Sequence, residues 1–143
     1  MILFPAIDLK DGQCVRLSQG DAERVKVYNS NPLDQAKLFE EYKVEWLHCI
    51  DLDGAFKGIS KNLEFIETII KNTNLKIQFG GGVRDEKKVE YLLGLGISNI
   101  IMGTSAIENR SLFKKLISTY PNQISLALDI KKNLVSTKGW VEQ

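Results

Sequence analysis

The stretch Phe4-Pro5-Ala6-Ile7-Asp8-Leu9-Lys10-Asp11-Gly12 decides the fold of this chain. It is an apolar run that ends in a carboxylate. A second run, Leu126-Ala127-Leu128-Asp129-Ile130-Lys131-Lys132-Asn133, repeats the order Ala-x-Asp-apolar-Lys before a turn residue. Buried parallel strands are near-continuous apolar runs, so core packing does not account for an acid at the C-terminal tip of each. The two tips, with Asp8 and Asp129, predict one shared site.

Short apolar, β-branched runs alternate with segments of helical periodicity along the chain. The runs cover residues 2–9, 46–52, 76–79, 99–102 and 124–130. Between them, apolar side chains recur at helical spacing, as in Leu63, Ile66 and Ile70. Asn31-Pro32 predicts an N-cap followed by proline at the first helical position. The order βαβαβαβαβ predicts a parallel sheet.

Two parallel architectures fit this order, an open doubly wound sheet and a closed (β/α)8 barrel. Chemistry-bearing residues follow the C-terminus of every predicted strand: Asp8, Asp51, Asp53, Gly80-Gly81-Gly82, Gly103-Thr104 and Asp129. This distribution favours the barrel, whereas an open sheet concentrates its site at one switch point. A barrel usually needs about 250 residues. We therefore expect residues 1–143 to be the N-terminal portion of a single barrel domain, strands one to five with four helices. The echo between strands one and five indicates duplication of a half-barrel.

Length, composition and charge exclude several classes of protein. The 143 residues are 43% hydrophobic and 26% charged, which is ordinary for one globular domain. The net charge of +1 provides no overall field for nucleic acid or an anionic membrane, and no apolar run has the length of a membrane span. The cytoplasm is the expected location. Cys14 and Cys49 are expected to be packing residues, and a single histidine, His48, gives metal chemistry no support.

Two glycine loops are candidates for phosphate binding. Gly80-Gly81-Gly82-Val83-Arg84 follows a strand and precedes a helix that begins near Asp85, and Gly103-Thr104-Ser105-Ala106 follows the next strand. Glycine lets the backbone approach an oxyanion, a helix N-terminus offers free N–H groups, and Arg84 adds a charged fork. Neither loop has the spacing of a nucleotide P-loop or of the dinucleotide fingerprint. The adjacent loops predict a clamp for a sugar phosphate.

Asp8 and Asp129 are the candidate acid and base. Strands one and five of eight face each other across a barrel mouth, so the two carboxylates would flank a bound substrate. One of them must hold a proton at neutral pH, which needs an apolar surrounding or a nearby negative charge. The alternative is that each caps a loop or pairs with Lys10 or Lys131.

Other residues are weaker candidates. Asp51 and Asp53 end strand two, where the alternatives are a turn or cap role and substrate contact. Arg16 and Gln19-Gly20 lie in a polar loop after Asp8 and contact either solvent or substrate. Trp140 is either a core residue or a stacking face for a planar base.

The ordered set of motifs resembles the histidine-biosynthesis isomerases that act on phosphoribosylformimino aminoimidazole carboxamide ribotide. The matching segments are residues 5–12, 15–21, 48–53, 80–84, 103–104, 128–129 and 139–140. The resemblance implies a (β/α)8 barrel and an Amadori rearrangement that requires no metal or redox cofactor. It also implies that Asp8 is the general base and Asp129 the general acid.

The same resemblance implies the substrate contacts. One phosphate of the bis-phosphorylated ribotide would be held by Gly81, Gly82, Arg84, Gly103 and Thr104. The rest of the substrate would contact Arg16, Gly20 and Trp140. The second phosphate clamp of this family comes from strands seven and eight, which these 143 residues do not include.

Several alternatives stay open at this point. The chain is either a fragment of a longer isomerase or a half-barrel that needs a C-terminal half or a second copy to cover its sheet edges. A bifunctional isomerase that also serves tryptophan synthesis shares these motifs. The imidazole glycerol phosphate cyclase of the same barrel group also has paired aspartates, but its opening strand differs. A non-catalytic sugar-phosphate binding module is the alternative outside enzymes.

Overall fold

A computed structural model describes residues 1–18, 21–131 and 134–136. The elements in chain order are β1 (Ala6–Lys10), β2 (Gln13–Ser18), β3 (Asp21–Asn29), α1 (Pro32–Glu41), β4 (Trp46–Asp51), α2 (Leu52–Lys57), α3 (Leu63–Asn72), β5 (Lys76–Gly80), α4 (Glu86–Gly94), β6 (Asn99–Met102), α5 (Thr104–Glu108), α6 (Arg110–Thr119), β7 (Ile124–Leu126), β8 (Asp129–Lys131) and β9 (Leu134–Ser136). The predicted alternation of strands and helices is confirmed. The short helices α2 and α5 are additions to it.

Seven strands form one sheet in the order β3-β2-β1-β4-β5-β6-β7. Strands β1, β4, β5, β6 and β7 run parallel, as the sequence predicts. The edge beyond β1 is an antiparallel ribbon, β2–β3, which the strand assignment from sequence missed. Its signal was present, because Asp11-Gly12 is a typical two-residue hairpin turn with φ values of 48° and 77°.

Two predicted strands differ from the structure at one end. The first begins at Ala6 and not at residue 2, and the fifth ends at Leu126 and not at residue 130. The last parallel bond on that side runs from Ala127 N to Met102 O at 2.9 Å. Because β6 ends at Met102, the parallel pairing between β6 and β7 stops at this point. Asp129 therefore begins a separate antiparallel pair, β8–β9, instead of standing at the tip of strand five.

The core lies between one face of the sheet and the helices. Along β1, Ile7 and Leu9 are fully buried while Asp8 is only half-buried, so the strand alternates between a core face and an open face. The same alternation places Leu47 and Cys49 of β4 in the core. The side chains that face away from the helices are the ones available to a ligand.

Helix starts follow the sequence signals closely. Asn31 caps α1, its side chain accepting a hydrogen bond from Leu33 N at 3.1 Å, and Pro32 is the first helical residue. Asp85 caps α4 by accepting from Lys88 N at 2.8 Å. These caps fix where the chain leaves the carboxyl edge of the sheet and turns back along it.

Candidate active site

Asp8 lies within β1, two residues before the strand ends, in register with Val15 of β2 and Ile50 of β4. Burial raises the pKa of Asp8 above its ordinary value, although the positive charges of His48 and Arg16 act in the opposite direction. A carboxylate with a raised pKa is a better proton acceptor near neutral pH than an ordinary one. Its surroundings therefore suit Asp8 to proton transfer, as either a base or an acid.

A row of polar side chains crosses the sheet next to Asp8. The row consists of His48, Gln78 and Asn99, which are register neighbours on β4, β5 and β6. Asn99 Nδ2 donates to the Asn122 carbonyl at 3.3 Å, so its Oδ1 accepts from Gln78 Nε2 at 3.0 Å. Gln78 Oε1 then lies 2.7 Å from His48 Nδ1 and accepts a hydrogen bond from the N–H group there. These hydrogen bonds orient His48. In the sequence, His48 was notable only as the single histidine.

The glycine loop after β5 packs backbone against backbone on the start of α2. A methyl group on Gly81 would overlap the carbonyl oxygen of Asp51, and one on Gly82 would overlap that of Gly54. Both glycines have positive φ, 119° and 70°. Close loop packing is thus a sufficient reason for glycine at both positions. Binding of phosphate by Gly81 and Gly82 stays a prediction.

The second glycine loop lies beside the first. Ser105 Oγ donates to the Val83 carbonyl at 2.6 Å and so ties the start of α5 to the first loop. Gly103 is the N-cap of α5 and Thr104 its first residue. The structure therefore places Gly103 and Thr104 next to the first loop, as a shared clamp requires.

Arg84 is exposed and lies at the outer side of this region. A methyl group on Gly58, the left-handed C-cap of α2, would come within 3.1 Å of Arg84 Nη1. The guanidinium group thus lies over the end of α2.

Asp51 and Asp53 are buried, at 0% and 2% exposure. Asp51 is the N-cap of α2 and accepts from Gly54 N at 3.0 Å, which confirms a cap role. Burial acts to raise the pKa of Asp53, but the Asp11 N–H, the amide of Asn62 and two lysines outweigh it and lower that pKa. Both side chains consequently have structural roles at the start of α2.

The remaining candidates lie away from the two glycine loops, although the charge of Arg16 acts on Asp8. Arg16 is exposed on β2, beside Arg24 and Lys26 at a shallow cavity of about 470 Å³. Asp129 is exposed and follows β7, four strand spacings from β1 and hence roughly 19 Å along the sheet. Gly20 and Trp140 lie outside the described residues.

Within residues 1–18, 21–131 and 134–136, no group of three or more His, Cys, Asp or Glu side chains can hold a metal ion. Of the helices described, none is long and apolar enough to cross a membrane. Cys14 and Cys49 are free and buried, which confirms their packing role, and burial raises the pKa of the Cys14 thiol to about 11.

Parallel βα units with a carboxyl-edge site define the class: the chain forms about the first half of a (β/α)8 barrel. The model of the family described as histidine biosynthesis protein matches residues 2–143. The chain belongs to that family.

Curated relatives carry one name, 1-(5-phosphoribosyl)-5-((5-phosphoribosylamino)methylideneamino) imidazole-4-carboxamide isomerase. The protein of Nautilia profundicola is 52% identical over 140 residues, which cover 98% of this chain and 59% of the relative. That of Sulfurihydrogenibium sp. is 42% identical over 99% of this chain and 59% of the relative. That of Nitrobacter hamburgensis is 46% identical, again over 99% of this chain but 58% of the relative. The chain thus spans less than two thirds of the length of these relatives.

Proposed function

We propose that the chain supplies the N-terminal part of an isomerase that converts the aminoaldose form of a bis-phosphorylated ribotide into its aminoketose by an Amadori rearrangement. The observation that carries this proposal is the half-buried Asp8, whose pKa is raised, on the open face of the sheet. The relatives' printed names support the same reaction class. Residues 1–143 would then form one portion of a single barrel domain.

The chemistry begins with two proton transfers. A carboxylic acid protonates the ring oxygen as the bond between that oxygen and C1 breaks, which leaves a protonated imine at C1. A carboxylate then removes the proton from C2, and the resulting enolamine tautomerises to the ketone at C2 by gaining a proton at C1 and losing the proton of its 2-hydroxyl group. We assign the base to Asp8 and the acid to Asp129, as the resemblance to the isomerase family implies.

We assign one substrate phosphate to the two glycine loops. Gly81, Gly82, Gly103 and Thr104 lie at neighbouring strand ends, and Arg84 brings a cation to their rim. Arg16, Gly20 and Trp140 would contact the rest of the ribotide. For Gly20 and Trp140 the support is the resemblance alone.

We also assign the location and the partner of this half-barrel. The two free, buried cysteines suit a reducing compartment, for which we propose the cytoplasm. An apolar cavity of about 390 Å³ lies at the edge of the sheet beyond β7. It is lined by residues of α5 and α6 and by the exposed Leu126 and Leu128. We propose that the C-terminal part of the barrel covers this edge.

The isolated 143 residues should self-associate or melt without a cooperative transition, because Leu126, Leu128 and Ile130 are 45%, 53% and 70% exposed. Sedimentation at rising protein concentration and thermal melting measure this directly. Addition of the C-terminal segment of the Nautilia profundicola isomerase should restore a monomeric, cooperatively melting species. A chain that is monomeric and melts cooperatively by itself would contradict the proposed partner.

Turnover of the aminoaldose ribotide tests the function. The chain alone is assayed beside the completed chain, defined as residues 1–143 joined to the C-terminal segment of the same relative. The completed chain should turn over the ribotide without any added cofactor. Turnover of the anthranilate-derived substrate as well would establish the bifunctional isomerase. Cyclisation with added ammonia would instead establish the cyclase, and binding without turnover would leave a binding module.

A further inference from the structure

The turn between β1 and β2 is held by buried side chains from a different βα unit. Gly12 N–H donates to Asn62 Oδ1 at 2.9 Å, and Asp11 N–H donates to Asp53 Oδ2 at 2.7 Å. Asn62 is 0% exposed and Asp53 is 2% exposed. Two backbone N–H groups of the turn are therefore held by buried side chains. These side chains lie 50 and 42 positions further along the chain.

Asn62 is the residue that joins the parts of this network. Its Nδ2 donates to Asp51 Oδ1 at 2.6 Å and to Asp53 Oδ2 at 3.0 Å, while its Oδ1 accepts from Gly12. An amide has two donor hydrogens on nitrogen and an acceptor oxygen, and here both groups are used. An aspartate at this position would repel both carboxylates, and an apolar residue would leave Gly12 N–H without its acceptor. The site thus requires an amide side chain.

The turn leads directly into the ribbon that carries Arg16. Asp11-Gly12 leads directly into β2, and a methyl group on Gly12 would lie 2.7 Å from Phe65 Cζ, so the turn rests on that ring. Asp8 is held separately, because β1 also has four register pairs with β4. Loosening the turn should therefore disturb Arg16 more than Asp8.

We propose that Asn62 is a positioning residue that fixes the β1–β2 turn and with it the direction in which the ribbon presents Arg16 to substrate. The contact between Arg16 and substrate rests on the proposed function, whereas the fixing of the ribbon does not. Because Asn62 acts through Arg16, its loss raises KM more than it lowers kcat.

Hydrogen exchange at the amides of residues 11–18 tests the fixing of the ribbon in the completed chain. Asn62→Ala should accelerate exchange at Gly12 and along β2 by about tenfold, the equivalent of one lost hydrogen bond. Ser60→Ala is the matched control. It removes the bond from Ser60 Oγ to the same Asp51 carboxylate but touches neither turn residue, so exchange should stay within about twofold of the parent chain.

Kinetics of the completed chain test the consequence for substrate. Asn62→Ala should raise KM about five- to tenfold with kcat within about twofold, and Ser60→Ala should change neither. Gly12→Ala disturbs the same turn from the Phe65 side and should reproduce the rise in KM, which keeps the test decisive if Asn62→Ala does not fold.

The outcomes separate the two proposals. Equal exchange and equal KM in Asn62→Ala and Ser60→Ala would overturn the role of Asn62. A completed chain that exchanges as expected but does not turn over ribotide would refute the proposed function and leave the fixing of the ribbon intact.

Discussion

Asp8→Asn should lower kcat/KM of the completed chain for the ribotide by about 10²- to 10⁴-fold, the usual contribution of a general base. Asparagine fills the same place on β1 but cannot accept the proton from C2. The loss should fall mainly on kcat, because the amide still fits the half-buried position. Asp11→Asn is the matched control. Its carboxylate is exposed beside Lys10, and asparagine tolerates the positive φ of that turn, so activity should be retained.

The raised pKa of Asp8 also predicts the thermal stability of this variant. Since burial disfavours the charged carboxylate, the folded state binds the proton more tightly than the unfolded state does. Stability contributed by this group is present below its unfolded pKa and is lost as the pH rises through the folded pKa. At neutral pH Asp8→Asn should therefore melt at the same temperature as the parent or higher. A large drop in melting temperature together with the loss of activity would indicate a structural role for Asp8.

The pH profile gives an independent measurement. Because the base must be deprotonated to act, kcat/KM should rise with pH through the raised pKa of Asp8, above the range of an ordinary aspartate. An acid limb at the ordinary aspartate value would contradict the assignment.

Among the glycines of the two glycine loops, residues 80–84 and 103–106, Gly81 should be the one at which an added methyl group is most destabilising. The new Cβ would overlap the Asp51 carbonyl, and the φ of 119° is one that residues with side chains rarely adopt. Strain and overpacking together should cost about 3 kcal/mol or more of unfolding free energy, a large fraction of the stability of a typical domain. The midpoint of urea unfolding of the completed chain measures this cost.

Gly94→Ala is the matched control for that substitution. Gly94 ends α4, and a methyl group there would meet nothing within 4 Å. It should be neutral or stabilise the chain by up to about 1 kcal/mol, since alanine loses less conformational entropy than glycine in a helix. Equal urea midpoints for Gly81→Ala and Gly94→Ala would contradict the close packing of the glycine loop on α2.

The sequence by itself determined the features that depend on neighbouring residues. Apolar periodicity located the parallel strands and the helices between them. Asn31 and Asp85 marked the starts of two helices, and both residues are N-caps in the structure. It also selected the barrel and singled out Asp8 by a position that packing does not explain. These signals are local, so a single sequence is enough to read them.

Only the tertiary structure decided the features that depend on distant residues. The end of the fifth strand is set by where β6 stops, and Gly81 and Gly82 are required by the backbone of Asp51 and Gly54. Asn62 is the N-cap of α3, but its hydrogen-bond network has no local signal, because the partners of its side chain lie 9, 11 and 50 positions away in the chain. Contacts across such separations form only when the βα units pack side by side. The physical reason is that spacing along the chain encodes periodicity, whereas a buried hydrogen-bond network is specified by proximity in space.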